Sequence, residues 1–531
     1  MGCYPTVADL VPVGKSHMRR LGSGLGGRQR ERNPAIPPMP TLTPIDLNAA
    51  TVPFNRFFQR GVGSCHAYLT LREDFREHVR LAQKEIGFGG IRFHGIFSDQ
   101  VGIVQNGDEA DGARLNFQNA TKIYEFFVAQ GMKPFVELGF MPTRLASGTQ
   151  TIFDYRGNVT PPKDPAQWAR LVRRFVRHLK DHFGIAEVLT WHFEVWNEPD
   201  LIGAFWTGTM EDYFQLYAEA ARAVKSVDGR LRVGGPATSK TMWVPQLLAF
   251  CAEQRVPLDF ISTHHYCVDA ALVEGVSDGP MFYRGVKAMR EDAERVRAQI
   301  AASAFPNAEL HFTEWNSSPA HEDVYGKDTA FTAAFALQTL KEVSGVVDSY
   351  MWWTVSDIFE ESGLSIRPFT GKYGFMNQHG IKKPVFHAFR WLARLYDQEI
   401  PLDHTSARAT RSTAGDVRIL AWNLPEVIET NLGGGDWKTT GAMRADRFVL
   451  KGLHGRYRVR VWTVDDERGN ALHAWRALGS PDYPKAGELA AMRAAAVPHC
   501  LRDEVIDCDG ELTLAQELVP CALVCWELDR A

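Results

Sequence analysis

Eight short apolar runs recur between residues 62 and 357, each parted from the next by a longer stretch of mixed polarity. They are VGSCHA (62–67), GGIRFHGIF (89–97), KPFVELGF (133–140), WHFEVWNEP (191–199), LRVGGPA (231–237), DFISTHHY (259–266), ELHFTEWN (309–316) and SYMWWTVSD (349–357). Runs so short and so apolar read as strands buried on both faces. The stretches between them, such as 75–87, 165–184 and 212–229, carry apolar residues at helical spacing, and the last two close on Gly184 and Gly229, the residue type that favours a helix C-terminus. Strand and helix alternating eight times predict an α/β fold, a parallel sheet closed into a (β/α)8 TIM barrel over residues 41–400. An open doubly wound sheet competes with it, but no strand leads into the G-x-G-x-x-G turn with which such sheets hold a dinucleotide.

After KPVFHAFRWLARLYD (383–397), read as the last barrel helix, the period shifts to two. DVRILAWNL (416–424), RYRVRVWTVD (456–465) and LTLAQELVPCALVCWELD (512–529) read as half-buried strands. Residues 401–531 are therefore expected to form an accessory β-sandwich domain, with room for strands from residues 41–60 to complete it. Residues 1–40 follow neither period and read as a flexible leader, in which GKSHM looks like a cloning remnant.

Charge narrows the ligands. Lys plus Arg number 59 against 63 Asp plus Glu, so no field gathers a nucleic acid or an anionic membrane surface, and a neutral ligand is expected. No run of about 18 apolar residues is present to span a bilayer. Without an export signal the expected compartment is cytoplasmic, or periplasmic or secreted if the leader is artificial. The eight cysteines include no C-x-x-C pair, and Cys65 and Cys267 read as buried apolar thiols. The oligomeric state is left open.

A TIM barrel keeps its active site at the C-terminal ends of its strands. The fourth run closes on Asn197-Glu198-Pro199 and the seventh on Thr313-Glu314-Trp315-Asn316, so two carboxyl groups face one mouth. Such a pair suits acetal hydrolysis, in which the leaving oxygen needs a proton while the developing oxocarbenium ion needs an anion. Glu198 would hold the proton, helped by an apolar wall of Trp196 and Phe205 and by the charge of Glu314. Glu314 would stay ionised, with Arg92 as its best-placed cation. Period-two alternation puts Arg92 and His94 on one face of the second run, and Ser262, His264 and Tyr266 on one face of the sixth. Tyr266 is then a donor to Glu314, and His264 orients a carboxylate or the ligand. His265, out of phase, reads as a core residue. His66 at the end of the first run, Asn197, and Glu360-Glu361 after the eighth offer donors and acceptors for hydroxyl groups. Trp352 and Trp353 point to opposite faces, so one of them is free to stack on the C–H face of a sugar. The histidines show neither H-x-H nor H-E-x-x-H spacing, and no metal or cofactor is expected.

The strings FEVWNEPD (193–200), TEWNSS (313–318), RFHGIFSD (92–99), the Ser262-x-His264-x-Tyr266 pattern and GIKKPVFHAF (380–389) resemble glycoside hydrolase family 39, and its bacterial β-xylosidases in particular. The resemblance covers about residues 55–400 and extends to the trailing β-rich module. It implies Glu198 as general acid/base and Glu314 as nucleophile of a retaining mechanism, with carboxyl groups about 5–5.5 Å apart. It further implies that Glu360 and Glu361 bind the sugar at the non-reducing end, that Trp353 is the platform, and that the substrate is a xylo-oligosaccharide cleaved exo-wise without a cofactor. The family also holds α-L-iduronidases and enzymes acting on other polysaccharides, and Glu360 and Glu361 would repel the carboxylate of an iduronate. A non-catalytic carbohydrate-binding barrel is the alternative from another class, and the presence of both Glu198 and Glu314 opposes it.

Overall fold

A computed structural model describes residues 41–105, 114–270, 281–323, 326–431 and 436–531 of the 531-residue chain. The leader assigned to residues 1–40 lies outside them. Eight parallel strands close into a ring: Val62–His66, Gly90–His94, Lys133–Leu138, His192–Val195, Arg232–Thr238, Phe260–Tyr266, Glu309–Asn316 and Ser349–Trp352, numbered one to eight below. Each apolar run supplies one strand, and the architecture is a TIM barrel with a β-sheet module. Strand four ends at Val195, so Asn197, Glu198 and Pro199 lie beyond the ladder, in backbone that places Glu198 at φ 44°.

A helix follows every strand, in order Glu73–Glu85, Gln118–Ala129, Pro165–Phe183, Met210–Val227, Val244–Glu253, Val286–Ala301, Ala330–Glu342 and Pro384–Ala393. Their ends follow local chemistry. The Asp164 side chain accepts a hydrogen bond from Ala166 N at 2.9 Å, Pro165 takes the first helical position, and Gly184 stops the helix at φ 82°. Along that helix Trp168, Leu171, Val172, Phe175, Val176 and Leu179 are buried at the spacing of one face. Thr209 and Asp212 form a capping box for Met210–Val227. That helix ends on Asp228 in extended backbone, so Gly229, expected as its stop, lies past the cap.

Eight of the remaining strands form one sheet in the order Thr41–Asp46, Arg444–Val464, Leu523–Arg530, Val417–Trp422, Ala407–Arg411, Gln398–Ile400 and Val52–Pro53, with His499–Leu518 also paired to Arg444–Val464. Two of its strands come from residues 41–60. The sheet curls until Phe448 and Trp526 meet at 5.3 Å over a shared core with Ile45, Ile419 and Val459. Two runs differ from the sequence reading. The run 512–529 is cut at Pro520 and Cys521, because proline cannot donate to a ladder and Cys521 sits at φ 66°. The strand expected over 456–465 starts at Arg444 and pairs along its length with His499–Leu518. Between these two strands an unanticipated pair of helices, Ala471–Ala477 and Ala486–Ala495, packs Leu472, Trp475 and Met492 on Phe369 and Ile381, from the segment after strand eight.

Helix Ala330–Glu342 is buried from Ala330 to Leu340, which explains AFTAAFALQTL, a helix without a polar face. The barrel covers one side. On the other the sheet docks, with Gln338 Oε1 accepting from Trp422 Nε1 at 2.8 Å and Lys341 Nζ donating to Ala407 O at 2.9 Å. Among the described residues no helix is long and apolar enough to cross a membrane.

Candidate active site

Arg92 on strand two is fully buried beneath the barrel mouth. Its Nε donates to Glu194 Oε2 at 2.6 Å, Nη1 to Glu314 Oε2 at 3.3 Å and Nη2 to Asn197 Oδ1 at 2.8 Å, while Glu137 Oε2 lies 3.1 Å from Nη2. Burial opposes its charge, but the surrounding carboxylates of Glu194, Glu137 and Glu314 raise its pKa above the ordinary arginine value. A guanidinium so paired is a fixed cation under strand seven.

Glu314 has donors on both oxygens: Arg92 on Oε2 and the Tyr266 hydroxyl on Oε1. Burial nevertheless pushes its carboxyl up to about 8, against the pull of Arg92 and Tyr266 and with help from Glu361 and Glu137. The donors that the sequence reading asked for are in place, and burial outweighs them in the open cavity. Glu198 Oε1 lies 2.9 Å from His264 Nδ1, and that nitrogen is 3.7 Å from Glu314 Oε2. A carboxylate oxygen of Glu198, one of Glu314 and the His264 nitrogen all fall within 4.8 Å of one another. His264 is buried, and burial together with Arg92 and His94 holds its pKa well below the usual imidazole value.

Around these groups lies a cavity of about 500 Å³, within the ~300–1,000 Å³ range of small-ligand sites. Loops after five strands wall it. Phe153 comes from the loop after strand three, Phe205 from that after strand four, Lys240 from that after strand five, His321 from that after strand seven, and Glu361 and Tyr373 from that after strand eight. On the side of strands one and two the wall is continuous, because Asp154 N donates to Glu361 O at 3.1 Å and Tyr155 stacks on His66 with centroids 4.1 Å apart.

Of the residues singled out in the sequence, Glu198, Glu314, Asn197, His94, Tyr266, Trp353 and Glu361 line this cavity, with Arg92 and His264 directly behind the two acids. His66 and Glu360 do not line it. Glu360 turns to His66 Nε2 at 2.9 Å and Arg72 Nη1 at 3.1 Å, so the adjacent acids divide: Glu361 toward the cavity, Glu360 toward a salt bridge behind it. His94 joins the two layers, its Nδ1 2.6 Å from Glu137 Oε2 and its Nε2 3.6 Å from Glu361 Oε1. Trp353 lies under the cavity with its ring 4.6 Å from that of His94, and a Cβ on Gly63 would stand 2.4 Å from its Cε3. Trp352 faces outward onto Phe375. Trp196 is likewise turned away, its Nε1 donating to Phe205 O at 2.8 Å, which leaves Phe205 as the apolar wall beside Glu198. His265 bonds Asp292 and Tyr350 in the core.

The sequence reading missed Glu137, Glu194, Tyr373, Phe153 and His321, and gave Thr313 no role. Glu137 and Glu194 were legible: each interrupts an apolar strand, and a carboxylate there needs a buried cation, for which Arg92, on the strand next to that of Glu137, is the candidate. The loop residues follow no period that would place them.

A second group with ligand-like spacing, His192, Glu309 and His311, lies at the opposite end of the barrel. Neither group is read as a metal site, since Glu309 already pairs with Arg232 at 3.4 Å and Glu314 with Arg92 and Tyr266. Cys65 and Cys267 are buried, and burial pushes the Cys267 thiol up to about 12, so neither presents a thiolate.

A family model described as glycosyl hydrolases family 39 matches residues 41–513. A beta-xylosidase of Caldicellulosiruptor saccharolyticus is 41% identical over 432 residues, 81% of this chain and 86% of that protein. A beta-xylosidase of Geobacillus stearothermophilus is 37% identical over 477 residues, covering 87% and 90% respectively. The crystal structure of a monomeric beta-xylosidase from Caulobacter crescentus CB15 superposes with a TM-score of 0.85 at 34% identity, covering 92% of this chain and 99% of that one.

Proposed function

The chain belongs to glycosyl hydrolases family 39, and we propose that it is a retaining β-xylosidase that removes xylose from the non-reducing ends of xylo-oligosaccharides. The observation that carries this reading is the approach of Glu198 and Glu314, whose carboxylate oxygens lie within 4.8 Å. Retaining enzymes hold the pair about 5–5.5 Å apart, whereas inverting ones leave ~6.5–9.5 Å for a water molecule.

In the first step Glu314 attacks the anomeric carbon, the bond to the aglycone oxygen breaks, and that oxygen takes the proton of Glu198. In the second, water gives a proton back to Glu198 and attacks the same carbon, and the bond to Glu314 breaks. Two inversions restore the starting anomer. Arg92 and Tyr266 hold Glu314 for attack, and Asn197, fixed by Arg92, offers its amide to a sugar hydroxyl.

Two features support the substrate. The joined loops after strands three and eight block the cleft on one side, which suits a chain end rather than a chain interior. Glu361 beside Trp353 presents a carboxylate and an indole face, partners for the hydroxyls and C–H face of a neutral pyranose, and it would repel an acidic sugar. The xylosidases named above add to both.

The test is a panel of aryl xylosides, glucosides, arabinosides and iduronides, with the anomer released from the preferred substrate read by NMR before mutarotation. Preference for the β-xyloside with β-xylose as first product is expected. An α product would contradict double displacement, and an iduronide preference would contradict the assignment of the sugar.

A further inference from the structure

We infer that Thr313 and Glu194 are positioning residues that decide which nitrogen of His264 carries its proton, and thereby keep the proton of the resting enzyme on Glu198. The inference rests on the reading of Glu198 as the acid. It extends that reading to two residues that do not touch the cavity.

The argument is one of hydrogen-bond direction. Glu194 is buried, with Oε2 2.6 Å from Arg92 Nε, so beside that permanent cation it is a carboxylate that only accepts. Thr313 Oγ1 lies 2.8 Å from Glu194 Oε1 and must spend its single proton there. His264 Nε2 lies 3.1 Å from the same Thr313 oxygen, which now has only lone pairs to offer, so Nε2 carries the hydrogen. A neutral imidazole protonated at Nε2 has a bare lone pair at Nδ1, and Nδ1 faces Glu198 Oε1 at 2.9 Å. The only proton that can fill that contact is the carboxylic proton of Glu198. The reverse tautomer would set two lone pairs against each other at Thr313.

The surroundings keep His264 neutral. Arg92, His94 and His265 all face it and disfavour a second proton. Glu314, at 3.7 Å from Nδ1, is farther than Glu198 and has both oxygens engaged, Oε2 by Arg92 and Oε1 by the Tyr266 hydroxyl, so Glu198 is the partner that Nδ1 meets at hydrogen-bond distance. From the loops Lys240, His321, Glu361 and Tyr373 complete the set of charged and titratable groups around the cavity.

Thr313→Val keeps the shape and removes the hydroxyl, freeing His264 to take either tautomer, whereas Thr313→Ser restores the oxygen. The readout is kcat/KM against pH for a series of aryl β-xylosides of falling leaving-group acidity. For Thr313→Val the alkaline limb is expected about one pH unit lower, with a loss of about tenfold at neutral pH on the poorest leaving group that shrinks as the leaving group improves. Thr313→Ser should return both towards wild type. Unchanged limbs, or a loss equal at every pH and for every leaving group, would overturn the inference. Wild-type protein with labelled histidine gives a second reading that needs no variant: nitrogen NMR should show His264 protonated at Nε2 and bare at Nδ1, and the opposite pattern overturns the inference. Absence of turnover on every β-xyloside by wild type would instead strike the function proposed above and leave the NMR result to decide this one.

Discussion

The same residue types gather at both ends of the barrel and arrive at opposite electrostatics. At the mouth Glu198, His264 and Glu314 come from the ends of strands four, six and seven; at the foot His192, Glu309 and His311 come from the beginnings of strands four and seven. At the foot, hydrogen bonds from His192 and then His311 hold the Glu309 carboxyl well below its ordinary range, and its side chain is still 35% exposed. At the mouth, burial pushes Glu314 up to about 8 although Arg92 and Tyr266 both donate to it. The foot is a salt bridge shared with Arg232 and open to solvent; the mouth withdraws two acids from water beside a cavity. Composition does not separate the two clusters. Depth and the direction of each hydrogen bond do, and these make one pair chemically poised and the other inert.

Removing an acid from each end tests that contrast most sharply. Glu314→Ala should lower kcat/KM on aryl β-xylosides by at least ~10⁴-fold, because the bond-forming atom itself is lost. Glu198→Ala should cost about 10²–10⁴-fold on poor leaving groups and far less on activated ones. Azide should restore its turnover and yield a β-glycosyl azide, read by NMR, since a small anion attacks the anomeric carbon of the sugar held on Glu314 and displaces that carboxylate without needing a base. Equal losses on good and poor leaving groups would place the proton donor elsewhere. A smaller effect belongs to the floor of the cavity: Gly63→Ala drives a methyl group into Trp353 and should raise KM about tenfold while kcat moves less, as expected for a lost binding surface.

Legibility followed the periodicities. The eight strands, the two acids proposed as catalytic, Arg92, His264 and Tyr266 could be found because each lies in, or just past, a run whose period is fixed by burial. Glu360 could not be told from Glu361, because a loop has no period, and only the structure gives one of them to His66 and Arg72. The two helices between Val464 and His499 were missed for a related reason: their apolar residues meet Phe369 and Ile381 from a distant loop, and nothing local announces that surface. The uniformly apolar helix Ala330–Glu342 was a readable clue, since a helix buried all round implies a second layer over it, and that layer is the sheet. Pro520 was equally readable as a break within the 512–529 run.

At the foot the expected effect on catalysis is smallest. Glu309→Gln should leave kcat/KM within about twofold and change stability by under ~1 kcal/mol, since its ion pair is partly solvated. The pH dependence of stability is where this end of the barrel shows itself. Burial lowers His192 to about 4, against an unfolded value near ~6.5. A group whose pKa falls on folding binds fewer protons in the native state than in the unfolded one between those values. Its stabilising contribution is therefore complete above about pH 6.5 and is lost as the pH drops towards 4. Glu309, also lowered on folding, adds a loss in the same direction only below the ordinary carboxylate range. Tm should accordingly fall by a few degrees between pH 6.5 and 4. His192→Phe, which keeps the aromatic stack on Phe135 and removes one titrating group, should make that slope shallower by its own share, the buried His78 and His94 keeping theirs, without shifting the pH profile of kcat/KM. A catalytic profile that moved with His192→Phe would show that the two ends of the barrel are electrostatically coupled, and the separation drawn between them would fail.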